Sequence, residues 1–284
     1  MRLAWGLWLL VWSVGMTGAC SRAPEQPSRP APPAKVRLAY QFEPGRVQRY
    51  QVKTMERGRA EITIEMDYRW RVLRRLATGH GEVEVEFERY RFKVFPRSDQ
   101  YAEAEAMSRG LKGARFRMDV SPDGRQVRHL GHEGLPAISA AQIEALRTTV
   151  RNHILRLPSK AISAGERWVT EFSPPAGETD GGAGAAVTSR SQWRVLSVRS
   201  QRGQQIVELV CLTNMVPQPL QVQGASLRTE TEFHYSYLWN ATSGHLDSLT
   251  SSGNTRSWLV GQKQGETGEP TQTAFEGRVR LLPD

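Results

Sequence analysis

Three groups of residues have the types and spacing that chemistry needs. "HLGHE" places His129, His132 and Glu133 within five positions. A zinc protease needs H-E-x-x-H on a helix, so that both imidazoles share one face. Here the order differs, and Gly131 and Gly134 predict a loop, so no metal site is expected. Glu84, Glu86 and Glu88 alternate in "GEVEVEFERY". Paired carboxylates can serve acid–base catalysis. On a strand, however, they would face Arg69 and Arg71 of the preceding run as cross-strand ion pairs. Cys211 shares a strand face with Val207 and Leu209, has no base in its neighbourhood, and reads as a small buried side chain rather than a nucleophile. Neither a G-x-S-x-G elbow nor a phosphate-binding glycine motif is present. The glycines of "PPAGETDGGAGAA" (174–186) read as a loop. These residues predict neither an enzyme nor a bound cofactor or metal.

The remaining cysteine, Cys20, suggests an address. Met1-Arg2 precede an uncharged run from Leu3 to Met16. A basic start, a short apolar core and small residues at the end make a secretory signal over 1–19. The run is shorter than the roughly 20 apolar residues of a spanning helix. Thr17-Gly18-Ala19-Cys20 resembles the lipobox of bacterial lipoproteins, although that family usually has Leu where Thr17 stands. The resemblance implies lipidation of Cys20 and attachment to the cell envelope, and Ser21 after the cysteine implies the outer membrane. Residues 20–35, with Pro24, Pro27, Pro30, Pro32 and Pro33, form an extended tether.

The 284-residue chain carries a net charge of +9. Residues 20–135 hold 23 basic and 16 acidic side chains. A basic half could meet anionic lipid or a cell-wall polymer. Its charges nevertheless alternate with apolar residues and are interleaved with acids, as on solvated strand faces, and no nucleic-acid partner is expected.

The elements that must position all of this are mostly strands. Ile62, Ile64, Met66, Tyr68, Trp70 and Val72 recur with period two, as do Phe233, Tyr235, Tyr237 and Trp239. Shorter strands are predicted at "VRLAYQF", "RFRMDV", "QWRVLSV" and "GRVRLL". One helix is predicted from Ser139 to Leu157, with an apolar stripe, a Ser139/Gln142 capping box and an Ile138/Ile143 staple. His153 falls on that stripe as a core histidine. A second helix is predicted in "DQYAEAEAMSR", stopping at Gly110.

Trp-Arg-Val-Leu occurs at Trp70 and again at Trp193, each time between a glycine–aromatic element and an apolar strand. The expected fold is mainly β (β-rich α+β), with two similar antiparallel curved sheet halves, 36–135 and 161–284, joined by an amphipathic helix within 136–160. A C-terminal hairpin turns around "GQKQGETGEP". The pattern resembles bacterial lipoproteins built from duplicated β-sheet domains, on Tyr40-Gln41-Phe42-Glu43-Pro44-Gly45, Leu157-Pro158 before Gly165-Glu166-Arg167-Trp168, and Ser121-Pro122-Asp123-Gly124. No activity follows from that resemblance. Two roles are expected: a non-catalytic structural or interaction module that meets another envelope component, or a carrier of a lipid in an apolar groove between curved sheets. The groove residues would be Tyr68, Trp70, Phe233, Tyr235, Tyr237 and Trp239.

Overall fold

The computed structural model describes residues 35–96, 101–172, 187–217, 220–222, 225–260 and 271–283. The signal segment, Cys20, the tether up to residue 34, the glycine-rich loop and the turn of the C-terminal hairpin lie outside the described residues.

The chain is mainly β. A five-strand meander comprises β1 (Val47–Arg57), β2 (Glu61–Arg75), β3 (Gly81–Phe95), β4 (Arg115–Val120) and β5 (Val127–Glu133). A second run comprises β6 (Arg167–Phe172), β7 (Val187–Gln201), β8 (Gln204–Pro217), the short β9 (Leu220–Val222), β10 (Ala225–Asn240), β11 (His245–Val260) and β12 (Thr271–Leu281). The two halves are not separate sheets. They form one antiparallel sheet in the order β5-β4-β3-β2-β1-β12-β11-β10-β8-β7-β6, with β9 on the flank of β10. The seam is β12, which pairs with β1 (Val52 opposite Val279) and with β11 (Leu249 opposite Val279).

Local geometry recurs in both halves. The Gly45 N–H donates to the Val72 carbonyl and the Val72 N–H to the Arg46 carbonyl, each at 2.9 Å; Gly165, Val195 and Glu166 repeat both bonds at 2.9 Å. Both glycines have φ +83°, a left-handed conformation that costs other residues. In each half the register slips at the leucine of Trp-Arg-Val-Leu, Leu73 and Leu196. The resulting bulge keeps Trp70/Val72 and Trp193/Val195 facing inward before the strand bends away.

"VRLAYQF" is not a strand. Apart from one bridge between Val36 and Ile162, it threads over the inner face of the sheet. Leu38 and Phe42 are buried there. Its alternation is that of any extended segment burying every second side chain. The Tyr40 N–H donates to Pro122 O at 2.7 Å and the Gln41 N–H to Gly244 O at 3.4 Å, so the segment passes between the β4–β5 and β10–β11 turns. A Cβ on Gly244 would lie 2.5 Å from the Gln41 nitrogen, and one on Gly124 would lie 2.9 Å from the Tyr40 ring. Tyr40 reports the curvature. Its ring lies 6.4 Å from Trp70 on β2 and 4.9 Å from Trp239 on β10. Those strands are four places apart, roughly 19 Å in a flat sheet. The sheet therefore curls around Tyr40.

Two helices are described. α1 (Ala102–Gly110) packs against β3, where the Tyr101 ring meets Phe92 at 6.0 Å. The left-handed glycine after it is Gly113, not Gly110. α2 (Ala140–Asn152) opens with the predicted capping box: Ser139 Oγ accepts from the Gln142 N–H and Gln142 Oε1 from the Ser139 N–H. It ends at Asn152 rather than Leu157, because the His153 and Ile154 amides form tighter bonds to Val150 and Arg151 and close the last turn.

Candidate binding cleft

The outer face of the first half is a ladder of ion pairs. Arg69 meets Glu86 at 2.5 Å, Arg49 meets Glu88 at 2.7 Å and Arg117 meets Glu84 at 3.6 Å. Glu84 lies opposite Arg71 in register but finds its guanidinium on β4. These carboxylates are cross-strand partners; the more exposed Arg49–Glu88 pair contributes about 0–1 kcal/mol, whereas Glu84 is buried beneath Arg117.

"HLGHE" is not a loop. It lies on β5, which accommodates Gly131 in an irregular stretch of pairing with β4. His129 and His132 have rings 5.9 Å apart, both beside Phe116. Burial, then the neighbouring Arg147 and His132, lower the His129 pKa. Among the described residues no group of three His, Cys, Asp or Glu is placed to hold a metal.

The inner face is where the halves differ. Over the first half α2 acts as a plug. Leu146 and Val150 are buried. Between α2 and Met66, Tyr68, Trp70, Val85 and Phe87 only about 10 Å³ remains, room for a single water molecule at most. His153, the C-cap, stacks on Tyr68 at 5.5 Å, and burial lowers its pKa to about 4. It is a half-buried, neutral histidine at the boundary between the plug and the neighbouring cleft.

Over the second half, none of the described residues fills the inner face in this way. A cleft of about 560 Å³ lies between the sheet and the segment following α2. Its wall is a chain of rings. Trp193 stacks on Tyr237 at 5.2 Å, Tyr237 on Tyr235 at 5.8 Å, and Tyr235 meets Phe233 at 5.8 Å, while Trp168 backs Trp193 at 5.6 Å from outside the lining. Cys211 lies on β8, between Trp193 on β7 and Tyr235 on β10. Its small side chain allows rings from strands two places apart to touch. Burial raises the pKa of its thiol, so Cys211 is protonated at neutral pH. Burial also pushes the Tyr235 hydroxyl up to about 12. Two polar pairs bond within the wall: Ser191 with Thr213 at 2.8 Å, and Trp193 Nε1 to Thr170 at 3.0 Å. The ring faces of Trp193, Phe233 and Tyr235 give the cleft its apolar surface, beside a polar and charged rim. A second depression of about 520 Å³ shares Trp193 and Tyr235 with the cleft, borders Cys211, and runs to Gln192, Arg194 and His234.

The six groove residues read from the sequence thus divide. Tyr68, Trp70, Tyr237 and Trp239 are buried, with exposures of 5%, 8%, 5% and 0%. Tyr68 and Trp70 border only voids too small for a ligand, and Trp239 closes on Tyr40. Tyr237 forms the cleft floor, while half-buried Phe233 and Tyr235 line its wall. The space is also not between two sheets, as the repeat suggested, but between one sheet and a loop. Sequence reasoning missed Trp193, Met215 and Leu249 on the wall, and Arg125, Arg151 and Arg156 beside them. Trp193 sat in view within the repeated tetrapeptide. The arginines come from separate segments and share no motif.

No family model matches the chain, and no curated protein does. Among solved structures, one of lipovitellin, described for its lipid–protein interactions, is similar to this chain at 12% identity with a TM-score of 0.47. The match covers 86% of this chain, which spans about a quarter (25%) of that one. A likeness of this strength carries no argument.

Proposed function

We propose that this chain is a lipid-anchored envelope protein, non-catalytic, whose curved sheet holds a lipophilic molecule in the cleft of its second half. One observation carries the reading. A continuous aromatic wall of Trp193, Tyr237, Tyr235 and Phe233 faces about 560 Å³ of space. That volume lies within the roughly 300–1,000 Å³ of small-ligand sites. The buried, protonated Cys211 and the ion-paired Glu84, Glu86 and Glu88 support a role without catalysis. The signal segment, Cys20 and the proline-rich tether support attachment to the outer membrane.

A second reading, docking to another envelope protein or cell-wall polymer, draws on the sheet edges. β5 and β6 are the outermost strands of the described sheet and expose Leu130 (43%) and Val169 (50%). Open edges accept an added strand.

One preparation tests the proposal. The full chain is extracted gently from its own membrane, alongside Cys20→Ala and Tyr235→Arg, and bound species are weighed by native mass spectrometry. Wild type should carry a lipophilic adduct. Tyr235→Arg should lose it with an unchanged circular dichroism spectrum. Cys20→Ala should leave the membrane fraction or stall in processing. Delipidated wild type that takes up no lipid at micromolar concentration would remove the cleft reading and leave the edge reading. An unlipidated, freely soluble wild type would remove the anchor.

A further inference from the structure

We propose that the molecule in the cleft is a single-chain amphiphile with an anionic head, carboxylate or phosphate, seated against Arg125, Arg151 and Arg156; this rests on the cleft reading above. The three arginines arrive from different elements. Arg151 is in the last turn of α2, Arg156 belongs to the segment after it, and Arg125 follows the β4–β5 turn. All three border the same space as Trp193, Phe233 and Tyr235. Arg125 is held in place by its Nε, which donates to Leu157 O at 3.2 Å.

Two carboxylates lie near the cluster. Glu171 is the acidic residue lining the cleft, and it lies 3.6 Å from Arg190. Asp123 lies 3.8 Å from Arg125. The half-buried Arg156 guanidinium has its pKa lowered by burial and then by the charges of Arg151 and Arg125. The three guanidinium groups are therefore close enough to feel one another's charge, and together they form one cationic end of the cleft.

A cationic cluster beside an aromatic wall matches the two ends of an amphiphile. Guanidinium forks hold carboxylate or phosphate oxygens in bidentate pairs. The ring faces of Phe233, Tyr235 and Trp193 take the hydrocarbon. The volume suits one chain rather than a patch of bilayer.

The test uses full-length, delipidated protein and three probes of equal chain length: dodecanoate, dodecyl phosphate and dodecanol. Each is titrated calorimetrically at neutral pH below its aggregation concentration. At least one anion should bind about tenfold more tightly than the alcohol, and the stronger anion identifies the head. Arg151→Gln and Arg156→Gln should each weaken that anion about tenfold and change dodecanol by less than about twofold. Arg199→Gln, an exposed arginine outside the cleft lining, is the control and should change nothing. Thermal melts establish that each variant is folded. Dodecanol binding as tightly as both anions, or arginine variants that weaken all probes equally, would overturn the anionic head and leave the cleft reading intact. If none of the three binds, the cleft reading falls and takes this proposal with it.

Discussion

Trp70 and Trp193 hold the same place in the same tetrapeptide, each just ahead of a bulge, with exposures of 8% and 7%. What lies above them differs. Over Trp70 sit α2 and the threaded Tyr40, and almost no space remains. Trp193 is covered by its aromatic neighbours on one side and borders the cleft on the other. One strand pattern therefore makes either a core or a wall. The covering element decides which, and among the described residues α2 covers the first half alone.

The largest expected effect follows directly. Trp70→Ala should cost about 3–5 kcal/mol, because the packed first half cannot collapse around the void. Trp193→Ala should cost about 2 kcal/mol or less, since water can enter from the cleft. Urea unfolding of both variants checks this, and equal losses would mean that the second half is as filled as the first.

The plug also contributes pH dependence. His153 is neutral in the folded chain, with a pKa of about 4, against roughly 6.5 when unfolded. Between those values the unfolded chain binds the extra proton. Stability is therefore full above about pH 6.5 and falls by up to about 3 kcal/mol as pH drops toward 4. His129, also shifted down, acts in the same direction. The stability difference between wild type and His153→Leu should change across that window. A difference independent of pH would place His153 in water.

The smallest expected effect tests the likeness of the halves. Neither Gly45 nor Gly165 has an atom within 4 Å of an added Cβ. Gly45→Ala and Gly165→Ala should each lose only the left-handed backbone cost, about 1–2 kcal/mol. Thermal melts should show matching losses, and a wide disparity would mean that the recurring hydrogen bonds support different loads.

The elements were mostly legible in the sequence, and their partners were not. Alternation from Ile62 to Val72 marks a strand because burial on one face is local. The capping box at Ser139 is likewise written in four residues. "VRLAYQF" has the same alternation without being a strand, since period two records which side chains are buried and not where the backbone hydrogen bonds go. "HLGHE" suggested a loop through its glycines, and β4 accommodates Gly131 within a strand. The candidate site was half legible. Phe233 and Tyr235 line the cleft, yet nothing local separates them from Tyr237 and Trp239, because openness depends on where α2 stops. The arginine cluster joins positions more than twenty residues apart and appears only on folding.

The seam has a consequence for the order of assembly. β1 near the start of the fold is completed by β12 near its end, a pairing across more than two hundred residues. Until β12 emerges, β1 presents an unpaired row of amides and carbonyls, and so does β11. Pairings this distant close slowly, and an uncovered edge invites other chains. If the chain is threaded through a membrane from its N-terminus, the middle of its sheet is the last part to arrive. Both half-sheets must wait on the far side with their edges shielded, and chaperone binding before that moment should concentrate on β1 and β11.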